Sequence, residues 1–173
     1  MMSEKVQNAI NDQIHAELSA SYSYLAMSAY CDRSNFSGAA RWLRVQSQEE
    51  YAHAMRLLDF MLARHAKVVL TDLARPKTDY ASLLDVFETS FTQEQSVSKQ
   101  IEGLYELAFN AKAYPAVVQL EWFLTEQVEE EKTCREIVAK LKMVGTDQAA
   151  MLEIDRELGA RTAAEAEAEA AGE

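Results

Sequence analysis

Leu43-Arg44-Val45-Gln46-Ser47-Gln48-Glu49-Glu50-Tyr51-Ala52-His53-Ala54-Met55-Arg56-Leu57-Leu58-Asp59-Phe60 is the stretch on which the fold turns. Steps of three and four residues link Leu43, Gln46, Glu50, His53, Leu57 and Phe60, which is the spacing of one helix face. The face is apolar at both ends, yet a carboxylate and an imidazole sit in its middle. The same interruption recurs along the chain. One stripe runs Ile10, Ile14, Glu17, Ser21, Tyr24; another runs Leu84, Phe87, Phe91, Glu94, Ser98, Ile101, Tyr105, Ala108. The last runs Val117, Leu120, Phe123, Gln127, Glu130, Cys134, Ile137, Leu141. Four helices, each acidic where its buried face should be oiliest, describe a bundle with a site built into its core. Bare carboxylates are costly to bury unless something neutralises them. Basic residues do not share these stripes, so internal salt bridges are a poor substitute. Four glutamates carry about four negative charges, which two divalent cations would balance.

Helix limits follow from local signals. Ser3 is a plausible cap for a first helix reaching about Arg33. Ser34 to Gly38 reads as a short turn, and a second helix continues to about Ala66. Lys67 to Tyr80 has neither a helical period nor a hairpin signal. A link of that length lets the third helix start at the far end of the bundle, parallel to the second. Ser82 with Asp85 resembles a capping box and opens a third helix to about Asn110. Tyr114-Pro115 opens a fourth, ending near Gly145. Thr146 or Asp147 can cap a short fifth helix, Gln148 to Leu158. The expected fold is therefore all-α: an up-down-down-up four-helix bundle with one long crossover and a short fifth C-terminal helix. One domain is expected over residues 1–159, and residues 160–173 form an acidic, Ala/Glu-rich flexible tail.

Composition agrees. The chain has 173 residues, enough for one domain with a real core. Only 5 Gly and 2 Pro interrupt it, which favours helix throughout. No run of about eighteen apolar residues suggests a membrane span. The start, Met1 to Gln7, has no basic, apolar export pattern, so a cytoplasmic location is expected. A net charge of −11 disfavours binding to nucleic acid and suits attraction of cations. Cys31 and Cys134 are too few and too far apart for a disulfide framework or a zinc motif, and read as buried apolar residues.

The donor set narrows the metal. Mostly carboxylate oxygens with one imidazole suit iron or manganese better than zinc or copper. Glu50, beside His53, is the best candidate to bridge two ions. One ion would take Glu17, Glu50 and His53; the other would take Glu50, Glu94 and Glu130. Gln127 could hydrogen-bond bound water or a dioxygen species. Tyr24, two turns past Glu17, reads either as a packed tyrosine with a bonded hydroxyl or as an electron donor. Glu49, Glu126 and Glu129 lie beside the ligands but off the stripes, and read either as solvated charge or as a third, looser metal position. His15 and His65 read as surface or helix-end histidines, and Trp42 and Trp122 as core or interface aromatics.

Residues 3–158 resemble a bacterial non-haem ferritin. The segments that carry the likeness are Gln13-Ile14-His15-Ala16-Glu17, Gln48-Glu49-Glu50-Tyr51-Ala52-His53, Glu94-Gln95, Trp122 with Glu126-Gln127-Val128-Glu129-Glu130-Glu131-Lys132, and Ile154-Asp155-Arg156-Glu157-Leu158. The resemblance implies a ferritin-like fold and a cytoplasmic homo-oligomer, a hollow 24-mer, that oxidises Fe²⁺ with dioxygen or peroxide and stores ferric mineral. It places ferroxidase ligands on Glu17, Glu50, His53, Glu94 and Glu130, with Gln127 adjacent. A third iron position falls on Glu49, Glu126, Glu129 and Glu130, and the family's tyrosine falls on Tyr24. Haem is not expected: a bacterioferritin would carry Glu and His where this chain has Gln127 and Glu130, and a methionine at Tyr51. The Cys-x-x-Cys module of rubrerythrins is absent. A di-iron or di-manganese oxidase or peroxidase without mineral storage is the competing reading, and a purely structural bundle is a third.

Overall fold

The computed structural model describes residues 2–160. The expected tail therefore lies outside the described residues, apart from its first position, Ala160. Five helices make up the order α1 (Glu4–Arg33), α2 (Ser37–Ala63), α3 (Leu83–Asn110), α4 (Tyr114–Val144) and α5 (Gln148–Gly159). Among the described residues there is no strand, and no helix is long and apolar enough to cross a membrane.

Starts and stops have identifiable causes. The Ser3 hydroxyl accepts from Val6 N–H, and Ser82 Oγ accepts from Asp85 N–H at 3.1 Å. The return arm of that box is displaced by one residue, since Asp85 Oδ2 accepts from Ala81 N–H at 2.9 Å. Asp147, rather than Thr146, caps α5 by accepting from Ala149 and Ala150 N–H. Three helices end in one motif. Asn35, His65 and Lys112 adopt φ of 65°, 52° and 55°. The next amide in each case reaches back five residues: Phe36 to Cys31, Ala66 to Met61, Ala113 to Ala108. The left-handed His65 stops α2 at Ala63, three residues short of the expected end. No glycine advertised that stop, which is why the sequence reading overran it.

The crossover decides the topology. Its start lies by the N-terminal part of α1, where Asn11 Nδ2 donates to Lys67 carbonyl at 3.0 Å and Val69 N–H donates to Asn11 Oδ1 at 2.8 Å. Thr71 meets His15 Nδ1 at 2.9 Å. Its end lies by the C-terminus of α1, with Arg33 donating to Asp79 at 2.9 Å and Tyr80 set edge-on to Tyr30. The link thus climbs the whole length of α1, and α3 starts at the end where α2 started. Helices α2 and α3 are consequently parallel, giving the up-down-down-up order.

A short helix closes one end. Helix α2 has no cap of its own, because Phe36 offers no acceptor. Asp155 of α5 supplies it, accepting from Gly38 N–H at 3.1 Å and Ala39 N–H at 2.8 Å. Gly38 permits this approach: a Cβ there would stand 1.7 Å from the Asp155 carbonyl oxygen.

The core is in two parts. Met27, Cys31, Trp42, Leu43, Phe87, Leu141 and Ile154 fill the end that α5 covers. Ile10, Ile14, Leu57, Met61, Ile101 and Phe123 fill the other. Between these two apolar blocks lies the polar layer that the interrupted stripes foretold.

Candidate metal centre

Each of the four long helices sends one acidic position into that layer. Glu17 comes from α1, Glu50 and His53 from α2, Glu94 from α3, and Gln127 and Glu130 from α4. The i, i+3 spacing places Glu50 and His53 side by side, with His53 Nδ1 3.5 Å from Glu50 Oε2. Glu17, Glu50 and Glu94 have no solvent exposure at all, and Glu130 has 8 %.

The donors fall into metal-sized clusters. One atom each from Glu17, Glu50 and His53 lie mutually within 4.8 Å, and so do atoms from Glu50, Glu94 and Glu130. Glu50 belongs to both. Both of its oxygens, Glu17 Oε2, Glu130 Oε2 and His53 Nε2 are buried without a hydrogen-bond partner. Buried polar atoms are rarely left so. Several hard oxygens and an imidazole, aimed at shared points and otherwise unsatisfied, fit two oxygen-loving divalent cations.

Electrostatics carry the same message. Burial first, then its carboxylate neighbours Glu130, Glu94 and Glu17, push the Glu50 carboxyl well above the usual range. Burial, then Glu94, does the same to Glu130. Glu17 is pushed up to about 7, burial outweighing the hydrogen bond from Gln13 that favours its charge. His53 is pushed down to about 4 by burial and by the Arg56 charge. A neutral imidazole cannot balance these acids, so the layer lacks positive charge of its own.

Supporting contacts hold the candidate ligands in place. Tyr24 Oη donates a hydrogen bond to Glu94 Oε1 and lies 2.9 Å from Ser90 Oγ. The tyrosine is thus both packed and bonded to a candidate ligand. Gln127 turns toward α3, its amide donating to Glu94 carbonyl, Glu94 Oε2 and Ser98 Oγ, each at 3.3 Å. Its amide nitrogen thus steadies Glu94, a candidate ligand. Gln13 was missed: its amide donates to Glu17 Oε1 at 2.9 Å from one turn away. Its place beside the Glu17 stripe was the available signal. The His53 ring meets Trp122 edge-on with centroids 5.3 Å apart, and Arg56 Cζ stacks 3.9 Å above the same indole.

The second acidic group is assembled as well. Glu49, Glu126 and Glu129 border, together with Glu130 and Cys134, a cleft of about 250 Å³. Glu126 also comes within metal-ligand spacing of Glu130 and His53. Glu129 is exposed and paired with Lys132 at 3.3 Å. His15 and His65 stay outside the layer: His15 bonds the crossover and His65 ends a helix.

A family model described as ferritin-like domain matches residues 7–144. The chain belongs to the ferritin family. A bacterial non-heme ferritin of Staphylococcus aureus strain USA300 is 36% identical over 162 residues, covering 94% of this chain and 98% of the relative. Its counterpart in Staphylococcus epidermidis is 35% identical over the same length. Among solved structures, an open pore ferritin from the hyperthermophilic archaeon Archaeoglobus fulgidus is 40% identical with a TM-score of 0.93. That match covers 94% of this chain and all of the ferritin's own, 100%. A closed form of the Archaeoglobus ferritin made by site-directed mutagenesis superposes with a TM-score of 0.92.

Proposed function

We propose that the protein takes up Fe²⁺, oxidises it at paired seats inside each bundle, and stores the ferric product in a hollow homo-oligomeric shell of 24 subunits in the cytoplasm. Glu17, Glu50 and His53 hold one ion; Glu50, Glu94 and Glu130 hold the other. The observation that carries this reading is the pair of metal-spaced clusters sharing Glu50, whose two oxygens have no hydrogen-bond donor. Non-haem ferritin relatives spanning nearly the whole chain support the storage role.

The residues divide the work. Two iron ions give dioxygen two electrons, and with two protons the product is hydrogen peroxide. Carboxylates lower the energy of the ferric state more than the ferrous one, so an acid-rich, water-poor layer favours oxidation. Gln13 orients Glu17, and Tyr24 and Gln127 orient Glu94. When one iron seat is empty, the Tyr24 phenol can supply the second electron in its place, its proton passing to Glu94, and a later Fe²⁺ with that proton restores the phenol. The cleft of Glu49, Glu126, Glu129 and Glu130 is a third iron position through which product leaves the pair.

Size-exclusion chromatography with anaerobic Fe²⁺ titration tests the reading. The expected result is a particle of hundreds of kilodaltons binding at least two Fe²⁺ per subunit. Glu50→Ala should abolish rapid oxidation while the particle still assembles; unchanged kinetics would remove the site assignment. A small oligomer that turns over an organic substrate or peroxide, with no mineral, would instead favour the oxidase reading.

A further inference from the structure

His53 belongs to two metal-spaced clusters, one with Glu17 and Glu50 and one with Glu126 and Glu130. Its Nδ1, 3.5 Å from Glu50 Oε2, is the nitrogen on the Glu17/Glu50 side. Its Nε2 is buried with no hydrogen-bond partner, although the residue is only 3 % exposed. Edge-on packing against Trp122 and Phe123, which also touch each other, fixes the ring on one side. We propose that His53 Nε2, Glu126 and Glu130 form a separate divalent-cation seat, filled in alternation with the Nδ1 seat and guarded by the Arg56 guanidinium.

The inference rests on the proposed function for its first seat and adds a way station. Glu130 is shared with the paired centre, and Glu126 is shared with the acidic cleft, so the seat joins the two. Alternation follows from the chemistry of the ring. A neutral imidazole has one free lone pair, its other nitrogen carrying a proton. An ion on Nε2 therefore requires the ring proton on Nδ1, facing the Glu50 carboxylate. A cation leaving the Nδ1 side frees the ring to receive one on the other side, and His53 serves both without holding two.

Arg56 supplies the guard. Its guanidinium is anchored over the Trp122 ring, where indole attracts cations. From there it is drawn to Glu126 and opposes positive charge on His53. It stands in for a cation beside the seat and weakens the binding of any ion that arrives. Moderate affinity is what a transfer position needs.

Zinc, which is redox-inert, tests this on the assembled protein by anomalous diffraction and calorimetric titration. Wild type should show zinc on both sides of the His53 ring, with occupancies that together do not exceed one full site. Glu17→Gln, which touches only the first seat, should move zinc to Nε2. Glu126→Gln should empty the Nε2 seat and leave the Nδ1 seat filled. Arg56→Gln in the Glu17→Gln background should tighten zinc binding on the order of tenfold by removing one nearby positive charge. Zinc confined to Nδ1 in wild type and in Glu17→Gln, both ring nitrogens fully zinc-bound at once, or an unchanged affinity in Arg56→Gln would overturn the inference while leaving the paired centre standing. No zinc on any of these residues would overturn both.

Discussion

Replacing Glu17 by Gln should stabilise the metal-free protein, although Glu17 lies at the heart of the site. Its carboxyl is fully buried, keeps one oxygen unsatisfied and faces Glu50 and Glu94. These surroundings raise it from 4.5 to about 7. At about 1.4 kcal/mol per pH unit of displacement, keeping it ionised above pH 7 costs on the order of 3 kcal/mol. Glutamine has the shape of the protonated acid, can still accept from Gln13 and removes the charge. The sign follows from linkage. The folded protein holds this proton more tightly than the unfolded chain, so Glu17 favours folding below pH 4.5 and that contribution is gone once pH passes about 7. The variant's advantage should be nil near pH 4 and complete above pH 7, reaching roughly 6–12 °C in Tm for a chain of this size. His53 works in the opposite direction, favouring folding above pH 6.5 and losing that as pH falls toward about 4, but it is common to both proteins and cancels. Calorimetry of chelator-treated wild type and variant at several pH values is the assay. With Zn²⁺ at about 100 times the wild-type Kd the advantage should shrink, since wild type gains roughly 2.7 kcal/mol while the variant, lacking one ligand, binds more weakly and gains less. A metal-free variant less stable than wild type at pH 8 would refute the argument that this acid is held against its own electrostatics.

Tyr24→Phe should leave Glu94 Oε1 and Ser90 without the phenol, costing about 1–3 kcal/mol of metal-free stability and slowing Fe²⁺ oxidation in stopped-flow measurements. Asp155→Ala should cost about 1–2 kcal/mol through loss of the α2 cap. Gly38→Ala should cost more, because its new methyl group meets the Asp155 backbone; limited proteolysis near Gly145 would report the undocked α5. Glu129→Gln, at the exposed rim of the cleft, should reduce anaerobic Fe²⁺ binding by about one ion per subunit while leaving the fast phase of oxidation intact. Cys31, buried and pushed up to about 12, should resist iodoacetamide at pH 8 until the protein is unfolded.

Most helix limits were legible because their causes are local. Ser3, Ser82 and Asp147 act within one turn of their own helices, and Pro115 marks a start from inside it. The stop at Ala63 was not legible, since it depends on His65 adopting a left-handed conformation that is uncommon for any residue but glycine. Nor was the Asp155 cap, which joins residues 117 apart in sequence. At the centre, Glu17, Glu50, His53, Glu94 and Glu130 stood out because a charge on an apolar face is anomalous wherever that face ends up. Gln127 lay on its stripe too, but a stripe does not say whether an amide turns inward to a ligand or to a neighbouring helix. Here Ser98 and the Glu94 carbonyl decide.

Periodicity alone determined that four long helices bury acids and must find positive charge for them, because helical spacing maps sequence onto a face without reference to any partner. The crossover, by climbing α1 from Asn11 to Arg33, determined which faces meet and at what height. Distances between oxygens on different helices follow from that packing. So the kinds of ligand were written in the chain, whereas the sharing of Glu50 between two clusters, and of His53 between one of these and a third, exists only once the helices are side by side.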